Sequence, residues 1–106
     1  DVLLVESREK RASFLKHVVR EAELSNVQIF HGRTENVEDT FDGVISRAYR
    51  PPGEYLNDAA RLLKHGGVAV LLSGGTPPIF DGWAVDSISE YPVSDGMRTR
   101  TVLKRV

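Results

Sequence analysis

Short runs of β-favouring apolar residues alternate along this chain with longer segments of helical periodicity. Val2 to Val5 is the first run. From Arg8 to Ala22 the apolar residues then recur at helical spacing and predict one inward stripe, formed by Phe14, Leu15, Val18, Val19 and Ala22. Val27 to Phe30 and Phe41 to Ser46 are further runs. Strands separated by helical segments are typical of a mostly parallel sheet whose connections cross over its faces. The alternation therefore predicts an α/β fold, with Ser7 as the N-cap of the first helix.

The second half of the chain continues this pattern and then changes. Pro51-Pro52-Gly53 predicts the start of a second helix, and Lys64 to Gly67 predicts its end, with a cation in the last turn and glycines beyond. The predicted inward stripe of this helix begins with Tyr55 and Leu56. Val68 to Leu72 predicts another strand. Trp83 to Tyr91 and Arg98 to Val106 flank a turn-forming segment, which predicts an antiparallel hairpin. We expect one domain over residues 1–106, mostly parallel, with this hairpin at its end.

Composition excludes several classes of function. The net charge of −1 gives no overall basic field, so any RNA contact has to come from a local patch. The chain has no Cys, which excludes disulfides and thiolate chemistry and is compatible with a reducing cytoplasm. Its three His share no ligand spacing, and its apolar runs are too short for a membrane span. We expect neither a metal site nor a membrane partner. The start at Asp1, with Met97 as the only Met, predicts a fragment or a trimmed product.

Arg47 follows directly after the predicted strand that includes Gly43-Val44-Ile45, so its guanidinium lies at the end of that strand. One interpretation is that Arg47 reaches the surface as the strand emerges from the core. The other is that Arg47 contacts a ligand, because open α/β sheets bind ligands beyond the carboxyl ends of their strands. Arg50 follows shortly afterwards, either as a solvated charge or as an RNA contact. The residues alone leave both pairs of alternatives open.

Several segments together resemble the class I S-adenosylmethionine (SAM) methyltransferases and, within them, the RsmG/GidB family. These segments are "VQIFHGRTEN", "FDGVISRAY" and "LLKHGGVAVLLSG", preceded by a strand that ends in an acid. The combination of "GRTE" with "FDGVISRA" is the most specific part. The resemblance implies a Rossmann-like sheet and transfer of a methyl group from SAM to guanine N7 of small-subunit ribosomal RNA.

The resemblance also implies a cofactor site at the ends of the first two strands. Glu6, next to Ser7, is expected to accept both ribose hydroxyls, a charge-assisted contact. Its alternative is a surface Glu near a helix N-terminus. The loop of Gly32, Arg33, Thr34 and Glu35 is expected to pack against the adenine and bond to it, with Gly32 allowing close approach or positive φ. Its alternative is a polar turn in which Thr34 caps a short helix.

The implied substrate contacts lie further along the chain. Arg47 is expected to hold the SAM carboxylate or an RNA phosphate, because its fork is planar and permanently charged. Arg50 is the second candidate for RNA contact, and the basic first helix, with Arg8, Lys10 and Arg11, is either solvated or a third. No catalytic residue is predicted, because guanine N7 has a lone pair and no proton to remove.

Two departures from the family leave alternatives open. No strand and glycine-rich loop precede Asp1, so the strands that end near Glu6 and Arg47 are expected either to pair directly or to have another chain between them. Ser73 to Gly82 is too short for a parallel crossover, so the helix is deleted or the strand order differs. We therefore expect weak SAM binding by this chain alone. The other candidate functions are a non-catalytic α/β module that binds RNA or a protein, and a related methyltransferase with another substrate.

Overall fold

A computed structural model describes residues 1–47 and 50–106, which divide into two compact units, Asp1–Glu38 and Asp39–Val106. Unit 1 contains β1 (Val2–Glu6), α1 (Glu9–Glu21), β2 (Val27–His31) and a short 3-10 helix (Thr34–Asn36). Unit 2 contains β3 (Phe41–Ser46), α2 (Pro52–Leu62), β4 (Leu63–Ser73), β5 (Trp83–Val93) and β6 (Gly96–Arg105). The predicted α/β fold is confirmed, and the expected single domain stays a prediction.

Unit 1 is a two-stranded parallel sheet with one helix packed on it. Val2 pairs with Val27 and Glu6 with His31, so the two strands start and end together. Ala12 of α1 is 1% exposed. The inward stripe predicted for α1 is only partly confirmed, because Phe14 is 63% exposed and Val18 37%. The periodicity of a helix shows which residues share a face, but not whether a second layer covers that face.

The start of α1 differs from the prediction. Arg8 occupies the N-cap position, and no side chain donates or accepts a capping hydrogen bond there. The first helical hydrogen bond runs from the Ala12 amide to the Arg8 carbonyl. Ser7 is therefore not the N-cap, because the chain turns into the helix one residue later than its sequence preference indicates.

Unit 2 is a four-stranded mixed sheet in the order β3-β4-β6-β5. β3 and β4 are parallel, and β6 runs antiparallel to both β4 and β5. Residues 74–82, all of which are described, contain no helix. The connection from β4 to β5 is therefore irregular chain, and β5 lies at the sheet edge beyond β6. The C-terminal antiparallel hairpin is confirmed, with Val93 paired to Gly96 across a tighter turn than the sequence predicts.

The core of unit 2 lies between α2 and its sheet. Tyr55, Leu56 and Ala59 of α2 are at most 1% exposed and cluster with Leu71 and Leu103 of the sheet. The Tyr55 hydroxyl lies 2.9 Å from the carbonyl oxygens of Val44 and Val70. This single side chain thus ties the helix to both parallel strands.

The junction of α2 and β4 is tighter than predicted. The helix ends at Leu62 and the strand begins at once, so Lys64 to Gly67 belong to the strand and not to a separate helix stop. A Cβ on Gly67 would lie 2.9 Å from the Asp42 carbonyl oxygen, so a larger residue would push the strands apart. Arg105 supports the junction, since its guanidinium donates to the Ala60 carbonyl at 2.8 Å and to the Leu63 carbonyl at 3.1 Å.

β1 and β3 belong to different sheets, and each lies at an edge of its own sheet. The alternative in which these two strands pair directly is therefore wrong. Among the described residues, β1 forms ladder hydrogen bonds with β2, and β3 forms them with β4.

Candidate cofactor site

The carboxyl ends of β1 and β2 bring most of the predicted cofactor residues together. Glu6 is the last residue of β1 and stands opposite His31, the last residue of β2. The Gly32 amide donates to the Glu6 carbonyl at 3.0 Å, which continues the ladder into the loop. The 3-10 helix Thr34–Asn36 follows directly. Glu6 and the loop from Gly32 to Glu35 therefore share one edge of one sheet.

The carboxylate of Glu6 is incompletely satisfied. Its Oε1 atom is buried and has no hydrogen-bond partner among the described residues. A buried carboxylate oxygen without a donor is costly, and protein interiors rarely keep one without a reason. Ribose hydroxyls are donors of the right kind for this atom. The residues of this edge therefore fit the nucleoside part of SAM.

Gly32 is favoured by close approach to the Phe30 ring and not by positive φ. Its φ is outside the left-handed region. A Cβ at this position would lie 2.7 Å from Cε1 of Phe30, so any other residue would have to move the ring. The loop thus begins against the aromatic ring of Phe30 in β2.

The side chains of the loop after Gly32 do not cap the 3-10 helix in the way that the alternative interpretation expects of Thr34. Arg33, exposed, holds the N-cap position of the 3-10 helix, with no side-chain cap. The Thr34 hydroxyl donates to Glu35 Oε1 at 3.1 Å. The idea that Thr34 caps the short helix is therefore wrong. Ser7 is exposed in the turn between β1 and α1.

Arg47 and Arg50 belong to unit 2 and differ from each other. Arg47 is exposed directly after β3 and makes no hydrogen bond or ion pair with any residue that the structure describes. Arg50 Nη1 lies 3.2 Å from Asp58 Oδ2, with the side chains 30% and 14% exposed. Arg50 is therefore not a freely solvated charge, because the carboxylate of α2 holds it. The part of the motif at 48–49 lies outside the described residues.

Two features of the surface were missed from the sequence. His31 is exposed at the same edge as Glu6, and its position at the end of a strand was the available signal. A groove of about 420 Å³ lies in unit 2, with Leu56, Phe80 and Trp83 among its lining residues. None of the predicted site residues lines this groove.

No group of three or more His, Asp or Glu side chains is placed to hold a metal ion within residues 1–47 and 50–106. Among those same residues, no helix combines the length and apolar character that crossing a membrane requires.

Comparison with known proteins identifies the family. A family model described as rRNA small subunit methyltransferase G (GidB) matches residues 1–79. The chain belongs to this family. Proteins named ribosomal RNA small subunit methyltransferase G include one from Nitratidesulfovibrio vulgaris strain DP4, 37% identical over 100 residues, which cover 90% of this chain and 46% of that protein. The corresponding protein of Chlorobaculum tepidum is 41% identical over 75 residues, 70% of this chain and 35% of that protein.

Solved structures of other proteins share the fold of this RsmG/GidB family member. The match to TrmN from Thermus thermophilus has a TM-score of 0.75 at 17% sequence identity. It covers 98% of this chain and 36% of the TrmN chain. The match to the putative methyltransferase yhhF from Escherichia coli has a TM-score of 0.71 at 13% sequence identity. It covers 98% of this chain and 64% of the yhhF chain. These matches confirm the Rossmann-like methyltransferase fold. The chain spans about half or less of the length of the curated relatives that it matches.

Proposed function

We propose that this chain takes part in SAM-dependent methylation of small-subunit ribosomal RNA in the cytoplasm, with guanine N7 as the acceptor. The observation that carries the proposal is the buried, unpartnered Glu6 Oε1 beside the loop after β2. The relatives are named as methyltransferases of small-subunit ribosomal RNA, which supports this class of substrate. The expected weak binding of SAM by the chain alone is part of the proposal.

The residues of unit 1 would bind and orient the nucleoside part of the cofactor. Glu6 would accept the ribose hydroxyls, with Ser7 beside it, and the loop from Gly32 to Glu35 would contact the adenine. When bound, SAM supplies a methyl group on a positively charged sulfur, so the chemistry needs alignment more than side-chain catalysis. Guanine N7 offers a lone pair without a proton, so no general base is required.

Arg47 of unit 2 has the chemistry for an anionic contact. It is exposed and unpaired among the described residues, and its guanidinium can bind a carboxylate or a phosphate with two parallel hydrogen bonds. We propose that it holds the SAM carboxylate or an RNA phosphate. Arg50 is the weaker candidate for RNA contact, because Asp58 already neutralises it.

The test of the cofactor site is an NMR titration of SAM, which measures weak binding and shows where it occurs. Backbone amide shifts are expected at Glu6 and from Gly32 to Glu35. Glu6→Ala should weaken binding by roughly 1.5–3 kcal/mol, the usual contribution of a hydrogen bond to a charged group. Glu9→Ala removes an exposed carboxylate three residues away and serves as the matched control. Shifts confined to the groove around Phe80, or equal binding by both variants, would rule out this site.

A non-catalytic module is the second candidate, because the chain covers only about a third to a half of its relatives' length. Such a module would bind RNA or a protein without SAM. The same titration separates the two functions. Absence of amide shifts up to millimolar SAM, together with retained RNA binding, would favour the module.

A further inference from the structure

We propose that the first turn of α1 is a contact surface for the RNA backbone, in which Lys10 and Arg11, with Arg8 before them, bind phosphates. The inference rests on the proposed function and assigns its RNA partner to residues that the cofactor site does not use. Four observations support it: the distribution of charge, the absence of internal ion pairs, the unfavourable position of these cations in the helix, and the distance to the cofactor residues.

The segment around α1 carries a local positive charge. The segment from Arg8 to Glu21 holds five basic and two acidic residues, a net charge of +3, in a chain whose net charge is −1. The remainder of the chain is therefore acidic on balance. β6 also carries four basic residues, but Arg98 and Lys104 pair with Asp95 and Asp86, and Arg100 and Arg105 donate hydrogen bonds within the chain. A polyanion that binds through its phosphates therefore finds the unengaged positive charge on α1.

The acids of α1 are not placed to neutralise these cations. Side chains three or four positions apart are neighbours on a helix. At those distances Glu9 has an alanine and a serine within the helix, and Glu21 has a histidine and a valine. Lys10 and Arg11 are exposed, and neither forms an ion pair with any residue in the described part of the chain. Both cations are available to an external anion.

Helix stability does not explain the position of these residues. The N-terminal end of a helix carries a partial positive charge, so cations in the first turn are unfavourable there. Glu9 is the one acid of this turn, against the three cations, and no side chain caps the helix at Arg8. An anion bound to this turn would remove the repulsion, whereas Arg20, in the last turn of the same helix, is already favourably placed.

The first turn is also close to the cofactor residues. Lys10 follows Glu6 by four residues, which an extended chain spans in at most about 14 Å. Lys16 and Arg20 lie further along the helix, which rises 1.5 Å per residue, so Arg20 is about 15 Å beyond Lys10 along the axis. A phosphate held by the first turn would therefore lie beside the edge that carries Glu6, and one held at the far end would not.

The helix supplies its own control for the test. Lys10→Gln/Arg11→Gln and Lys16→Gln/Arg20→Gln each remove one lysine and one arginine, all exposed, from α1. Binding of in vitro transcribed small-subunit ribosomal RNA to the full chain is measured for both variants over a series of salt concentrations. Circular dichroism checks that α1 is retained in each.

The first-turn variant should flatten the dependence of log K on log salt by roughly 1.5 to 2, which corresponds to two lost phosphate contacts. The far-end variant should keep the wild-type slope. Equal slopes for wild type and first-turn variant, or equal losses for both variants, would overturn the inference while leaving RNA as the substrate. If the wild-type chain binds no RNA even at low salt, both the inference and the RNA part of the proposed function fail.

A membrane surface is the competing anionic partner for a basic helix. Vesicles of phosphatidylserine and phosphatidylcholine in a one-to-three ratio provide that comparison. Binding to RNA with no cosedimentation of the vesicles supports the assignment. Stronger vesicle binding, lost in the first-turn variant, would overturn it.

Discussion

Unit 1 and unit 2 differ in how much core they possess and in what they carry. Among its described residues, unit 2 buries eight apolar side chains, from Tyr55 to Leu103, between α2 and a four-stranded sheet. Unit 1 buries only Ala12 and Val37, in a two-stranded sheet with one helix. Small two-stranded assemblies are marginal by themselves, because they remove too little apolar surface from water. Yet unit 1 carries nearly all of the candidate cofactor residues.

The comparison shows that stability and the candidate site are separated in this chain. The side chains that form the core of unit 2 are apolar and lie buried between α2 and its sheet. The residues at the edge of unit 1 are polar and depend on a thinly packed pair of strands. Regions that bind ligands are commonly drawn from the less stable parts of a protein. We expect ligand binding to stabilise unit 1 more than unit 2, since binding selects the ordered state.

The largest expected effect compares two leucines on the two helices. Leu56→Ala in α2 should lower the free energy of unfolding by about 2–5 kcal/mol, because Leu56 is 1% exposed and its removal leaves a cavity. Leu15→Ala in α1 should cost about 1 kcal/mol, because Leu15 is only half-buried. Native-state hydrogen exchange at the strand amides measures both. Equal losses would show that unit 1 is as well packed in solution as unit 2.

A smaller effect is expected from the hydroxyl that joins α2 to the sheet. Tyr55→Phe removes the donor shared by the Val44 and Val70 carbonyls and should cost about 1 kcal/mol. Trp83, the only tryptophan, reports the urea unfolding of unit 2 by fluorescence. Tyr91→Phe, at a half-buried position of β5, is the control and should be nearly neutral. A neutral Tyr55→Phe would mean that the two carbonyls find other donors.

The smallest effect concerns the exposed aromatic of unit 1. Phe14→Gln should change the free energy of unfolding by less than about 0.5 kcal/mol, as is usual for exposed positions. Hydrogen exchange of the α1 amides measures it. A loss of 2 kcal/mol or more would indicate that Phe14 is covered in solution, and a dependence of that loss on protein concentration would identify a second copy as the cover.

The sequence predicted strands better than helix ends. β3 begins at Phe41 and ends at Ser46 as predicted, because its apolar run is bounded on both sides by polar residues. The predicted N-cap of α1, Ser7, was wrong. Ser7 and Arg8 are adjacent, and the turn from β1 decides which of them directly precedes the helix. The start of β4 was also wrong, because Gly67 signals a helix stop locally but is needed for close approach to Asp42.

The candidate site was predictable where it depends on the chain's order and unpredictable where it depends on side-chain partners. Parallel strands end at one edge, so Glu6 and the loop after β2 had to meet once the strands paired in register. The ion pair of Arg50 with Asp58 joins residues eight positions apart in the chain. It depends on where α2 begins, because the helix positions Asp58. The hydrogen bond from Thr34 to Glu35 likewise depends on side-chain conformation, which the sequence does not specify.

The sequence alone determined the α/β alternation, the family and the residues grouped at the strand ends, because these depend on periodicity and on short motifs. Only the tertiary structure decided which apolar faces are covered. Phe14 and Tyr55 both occupy the predicted inward stripe of a helix, yet Phe14 is 63% exposed and Tyr55 1%. Hydrophobic spacing records which side chains lie on one face of a helix. Burial also requires an opposing layer, and unit 2 supplies this to α2 with four strands, whereas unit 1 offers α1 only two.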